Sequence, residues 1–108
     1  MEGNRRIHHI VIKNADVWAA GWITYYMYKF VDVGEIESVE VEQVRKSDES
    51  IDLIIKFFVA AYSIYHAAKD LKEARDAVTK VGEMLRRWKA KRKQKKIDIF
   101  LDGEQIQS

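Results

Sequence analysis

The chain opens on a dense run of β-branched and apolar residues, RRIHHIVIK over 5–13, which predicts a strand in the interior of a sheet. Asn14 then reads as a helix N-cap, with Asp16 in a first turn that favours negative charge. Helix one runs through ADVWAAGWITYYMYKF to about Phe30, apolar nearly all round, and Gly34 punctuates its end. Residues 35–44, EIESVEVEQV, alternate: Val39 and Val41 face one way, Glu40 and Glu42 the other, as in a half-exposed strand.

KSDES reads as a helix entry, with Ser47 or Ser50 as cap and acids at 48, 49 and 52. From Ser50 to Lys93 the one breaker is Gly82, which costs a helix about 1 kcal/mol and need not stop it. Leu53, Phe57, Ala60, Ile64, Ala67, Leu71, Ala74, Val78, Val81, Leu85 and Trp88 follow at intervals of 4,3,4,3, a coiled-coil type of seam. A helix over 50–93 would span about 66 Å, against a radius of gyration of about 13 Å for a compact 100-residue domain. It is therefore expected to project beyond its own sheet. The closing KIDIFLDGEQIQ predicts a hairpin on a two-residue type I′ turn at Asp102-Gly103. The predicted fold is a single α+β domain over 1–108. It has two layers in the order β-α-β-α-β-β, with a small sheet and one very long second helix.

Before Ala68 the seam is flanked by further apolar residues (Ile54, Ile55, Phe58, Val59, Tyr62, Tyr65), which fits a core; after Lys69 its flanks are charged. A narrow seam packs against one other helix. Leu71, Ala74, Val78, Val81, Leu85 and Trp88 are thus the expected protein interface of a homo-oligomer, or of a complex with a partner protein. Part of the aromatic set of helix one, Trp18 and Trp22 within it, is a second expected contact surface, the rest being core. Trp18, Trp22, Tyr25, Tyr26, Tyr28 and Phe30 fall within thirteen residues, and a small sheet covers only one side of a helix.

Composition bounds the rest. A chain of 108 residues, 47% hydrophobic and 33% charged, suits one globular domain with its own core. It has no Cys, which removes disulfides, thiol nucleophiles and thiolate metal sites and fits a reducing, cytoplasmic setting. The N-terminus lacks the apolar core of a signal peptide. The uncharged runs Val17–Tyr28 and Phe57–Ala68 are twelve residues each, short of the roughly twenty a spanning helix needs. Helix one packed against the first half of helix two would account for both.

Net charge is +2 but uneven. Residues 32–52 hold eight acids against Arg45 and Lys46, whereas 86–96 hold eight bases and no acid. Arg86, Arg87, Lys89, Lys91, Arg92, Lys93, Lys95 and Lys96 are candidate polyanion-binding residues, with Trp88 as a nearby stacking ring. The run equally suits a helix C-terminus, where bases complement the dipole, or a membrane surface beside an apolar helix.

No catalytic constellation emerges. His8 and His9 are adjacent on a strand and so point to opposite faces, and His66 has only Asp70 at helical spacing. No metal site, cofactor site, phosphate loop or triad is expected. The pattern of β–α–β, an apolar helix ending LRRWKAKRK, and a close of KKIDIFLDGEQIQ resembles, over residues 36–108, the effector-associated constant component proteins of prokaryotic conflict systems. That resemblance implies a small non-catalytic adaptor associated with an effector in antiviral defence. The expected function is a non-enzymatic interaction or adaptor module. Nucleic-acid binding through 86–96 is the first alternative and peripheral membrane association the second.

Overall fold

The computed structural model describes residues 4–61, 67–91 and 97–106, with side chains at 7–59, 76–91 and 97–106. Its elements are β1 (Asn4–Ala15), α1 (Val17–Asp32), β2 (Ser38–Arg45), β3 (Ile51–Ala61), α2 (Ala67–Lys91), β4 (Asp98–Leu101) and β5 (Glu104–Gln105). The strands form one antiparallel sheet in the order β2-β3-β1-β4-β5. The first four strands with their two helices make a pair of interleaved βαβ units, the split connectivity of ferredoxin-like arrangements. The fold is α+β, as the hydrophobic pattern predicts, but its second helix is not very long.

The correction lies at 50–66. The segment expected to begin a helix is β3, an inner strand paired with both β1 and β2. Ile51, Leu53, Ile55, Phe57 and Val59 alternate with Asp52, Ile54 and Lys56, and the first set is buried against the helices. KSDES is not a helix entry. It is the β2–β3 hairpin loop, closed by Lys46 N–H to the Ser50 carbonyl (2.9 Å), with Ser47 Oγ accepting from Glu49 N–H (3.3 Å). The second helix has 25 residues, about 37 Å at 1.5 Å each, rather than the whole of 50–93. The seam positions Leu53 and Phe57 therefore lie on a strand, and no five-heptad coiled coil exists. Ile64 lies outside the described residues, as do the side chains of Ala60, Ala67, Leu71 and Ala74.

The ends of α1 are set locally. Asp16, not Asn14, is the N-cap, its carboxylate accepting from Ala19 N–H at 2.7 Å. Asn14 serves a bulge instead. It sits at φ 65, a conformation asparagine tolerates, between the pairs Ile12↔Leu53 and Ala15↔Ile51. The far end closes on Gly34 at φ 80, with Gly34 N–H to the Val31 carbonyl (3.0 Å) and Glu35 N–H to that of Phe30 (2.9 Å).

Both helices cover the same face of the sheet. Ala19, Ala20, Ile23 and Met27 of α1, and Ala77, Val81, Leu85 and Trp88 of α2, join Ile10, Ile12, Ile55 and Ile99 in one core. Helix α1 packs on β1, β2 and β3, so what expectation gave to the first half of helix two is supplied by β3. Helix α2 approaches β4 closely at Gly82, where a Cβ would stand 3.5 Å from Leu101 Cδ2. The opposite face of the sheet is hydrated, with His9, Lys13, Glu40 and Lys56 exposed along it.

Candidate interaction surface

Helix α1 distributes side-chain size in an unusual way. Its core side carries the small Ala19 and Ala20 with Ile23 and Met27. Its largest side chains point outward. Trp18, Trp22, Tyr25, Tyr26 and Tyr28 are between 36% and 75% exposed, Trp18 the most. At 3.6 residues per turn these positions, with Gly21 and Lys29, share one stripe opposite the buried one. Three of the rings form a contiguous group, with Trp18 and Tyr28 on the same stripe. Trp22 lies 6.0 Å from Tyr25, edge to face, and 5.8 Å from Tyr26, stacked, while Tyr25 and Tyr26 meet at 5.7 Å. Lys29 Nζ sits 5.6 Å from the centre of the Tyr25 ring.

The size of this surface matters. Together the five rings leave exposed the equivalent of about two and a half whole aromatic side chains, on the order of 400–650 Å². The largest apolar patch on an ordinary monomer is about 300–600 Å². The open sheet face carries a smaller apolar set: Ile54, Val11 and Phe100 stand side by side across three strands and Ile7 stands opposite Phe58, with Ile7 and Ile54 its exposed members. Acidic groups border the C-terminal end of α1: Asp32, Glu35 and Glu37, with Glu35 paired to Lys80 at 2.7 Å.

The other expected interface residues are placed differently. Val81, Leu85 and Trp88 are buried in this chain's own core and Val78 packs at its edge, so this part of the seam is covered within the chain, while the side chains of Leu71 and Ala74 lie outside the described residues. Of the basic residues, Arg86, Arg87 and Lys91 are exposed on α2. Lys89 donates to the Ile106 carbonyl at 2.9 Å and so ties α2 to the chain beyond β5. Arg92, Lys93, Lys95 and Lys96 lie outside the described residues, as does His66.

One polar cluster joins residues that the sequence reading kept apart. The Asp102-Gly103 turn has φ 50 and 86, as a type I′ turn requires. Asp102 Oδ2 accepts from His8 Nδ1 (2.7 Å), its Oδ1 accepts from His9 N–H (2.8 Å), and its own N–H donates to the His9 carbonyl (2.8 Å). The turn is thereby fastened to β1. His8 stacks on Phe57 at 5.2 Å, and its Nε2 is buried without a hydrogen-bond partner among the described residues. A nitrogen so enclosed is poorly placed to exchange protons with an outside substrate.

Among the described residues, no group of three or more His, Asp or Glu could hold a metal ion, and no helix is long and apolar enough to cross a membrane. A hollow of about 140 Å³ on the open sheet face, lined by Glu40, Val41, Glu42, Ile54 and Lys56, is smaller than the roughly 300–1,000 Å³ of small-molecule sites. Against known proteins, the chain matches no family model, no curated protein and no solved structure. The resemblance to effector-associated constant component proteins rests on the sequence pattern alone.

Proposed function

We propose that this chain is a non-enzymatic protein-interaction module of the adaptor kind, and that it binds through the aromatic face of α1. The observation that carries the reading is the stripe of Trp18, Trp22, Tyr25, Tyr26 and Tyr28, with Trp22, Tyr25 and Tyr26 in mutual contact, left in water by a helix whose other side is buried. Trp and Tyr are the side chains most often found as binding anchors at protein interfaces. The partner is a protein surface that is itself apolar and aromatic, because Lys29 and Asp32 are the charges α1 presents along its exposed stripe.

Two other occupants fit this face less well. A phosphate backbone would meet Asp32, Glu35 and Glu37 at one end of the helix and a single base, Lys29, on it. An interfacial membrane helix draws on flanking Lys and Arg for anionic lipid, whereas the flank here is acidic. Nucleic-acid binding through Arg86, Arg87 and Lys91 is the competing reading, supported by their exposure on α2. An adaptor in the cytoplasm of a prokaryote, working beside an effector, is the biological setting consistent with the resemblance.

The test is photo-crosslinking from a benzophenone amino acid at the position of Tyr25, in cells that make the protein, with the adduct identified by peptide mass. The expected product is a discrete protein adduct that disappears when Trp18→Ala and Trp22→Ala are combined. A lipid or nucleic-acid adduct, no adduct, or a protein adduct that survives the double variant overturns the reading.

A further inference from the structure

We infer that the partner of this face is a second copy of the chain, with α1 packed antiparallel on α1 about a two-fold axis at Gly21 and Trp22. The inference rests on the protein-interaction reading above and names its partner. Its first support is Gly21. Glycine in a helix interior is disfavoured relative to alanine. A Cβ at Gly21 would meet nothing within 4 Å, so nothing in the chain's own packing calls for glycine there. Gly21 lies on the exposed side, among Trp18, Trp22 and Tyr25, and makes a gap in a wall of rings. Such a gap suits a bulky group brought in from outside. A two-fold axis between positions 21 and 22 sets Trp22 of each copy over Gly21 of the other, and Trp18 against Tyr25.

Charge selects the orientation. A parallel pair would set Lys29 on Lys29 and Asp32 on Asp32, like charges in contact. The antiparallel pair instead sends the two Lys29 and the two Asp32 to opposite ends of the contact, each clear of its counterpart. Each copy then presents the same ring surface to the other, as a two-fold interface requires. Area agrees. Two such ring surfaces, wholly covered, would bury on the order of 800–1,300 Å² before flanking residues are counted, which at its upper end reaches the range of specific interfaces.

Sedimentation equilibrium and light scattering from about 1 to 100 µM test this. The wild-type chain is expected to show a reversible monomer–dimer equilibrium, weakened more than about tenfold by Trp22→Ala. Gly21→Ala separates docking from folding. At a concentration where the protein is monomeric it unfolds at no lower temperature than the wild type, since alanine favours helix, yet it dimerises more weakly. The chain has no cysteine, so single cysteines report the register. Mild oxidation of mixed Trp18→Cys and Tyr25→Cys chains links 18 to 25 and leaves Lys29→Cys unlinked, whereas a Lys29→Cys link between copies would show a parallel pair and overturn the geometry. A wild-type monomer throughout, or a dimer indifferent to both Trp22→Ala and Gly21→Ala, overturns the second-copy inference. In either case a crosslink from position 25 to a different protein keeps the broader reading, so the two fail separately.

Discussion

Leu85→Ala asks who owns the apolar seam of α2. Leu85 is fully buried in this chain's core, so the substitution deletes three carbon atoms from a packed interior. At about 0.8 kcal/mol per methylene the transfer loss is roughly 2.4 kcal/mol, and the residual cavity raises the expected total to about 2.5–4 kcal/mol. For a domain of about 100 residues that lowers the melting temperature by about 10–25 °C. The assay is urea unfolding followed by tryptophan fluorescence at two protein concentrations a decade apart. If Leu85 packs on its own sheet, both concentrations show the same loss of stability with an unchanged denaturant slope. An interface residue behaves otherwise: its truncation acts through association, so its effect depends on concentration. A loss below about 1 kcal/mol, or one confined to the higher concentration, would refute the intramolecular seam.

Asp102→Ala removes the acceptor for His8 Nδ1 and His9 N–H and places alanine at φ 50, so it should destabilise by about 1–3 kcal/mol in chemical unfolding. Asp102→Asn, which tolerates that backbone and keeps an acceptor, should lose clearly less. Gly82→Ala should stabilise by up to about 1 kcal/mol, because the new methyl meets Leu101 at an ordinary 3.5 Å while helix propensity improves; a lower unfolding midpoint would show that α2 cannot accept it. The hydrogen bond from Lys80 to Glu35 raises the lysine above its ordinary 10.5. A raised value means the pair's stabilisation is fully present below pH 10.5 and fades as pH climbs through the folded value. The stability difference between wild type and Lys80→Met should therefore stay constant across neutral pH and narrow in the alkaline range.

Much of the fold is legible from local pattern. The β-branched run at 5–13, the alternation at 38–42, the glycine stop after α1 and the Asp-Gly hairpin all stand where the sequence places them, because each depends on residues within a few positions of one another. The failure at 51–61 has a specific cause. In IDLIIKFFVAA nearly every position is apolar, so Leu53 and Phe57 satisfy a helical interval of four and a strand parity of two at once. The choice between them was made by β1 and β2. Flanking this segment on both sides, they satisfy its backbone groups and align Ile10 and Val41 with Ile55, a gain invisible in any local window. The same holds for the surfaces. An apolar stripe at Val81, Leu85 and Trp88 states that something must cover it, but not whether the cover is another copy or the chain's own sheet. The ring-rich helix states that some rings stay wet, and only the seating of Ala19 and Ala20 against the sheet decides that all five outward rings do. His8 and Asp102 stand 94 residues apart and meet because β4 pairs with β1. Short-range periodicity thus determines the elements wherever one period fits, while the neighbour across a sheet or above a face decides the rest, since burial is a property of two surfaces and a sequence window contains only one.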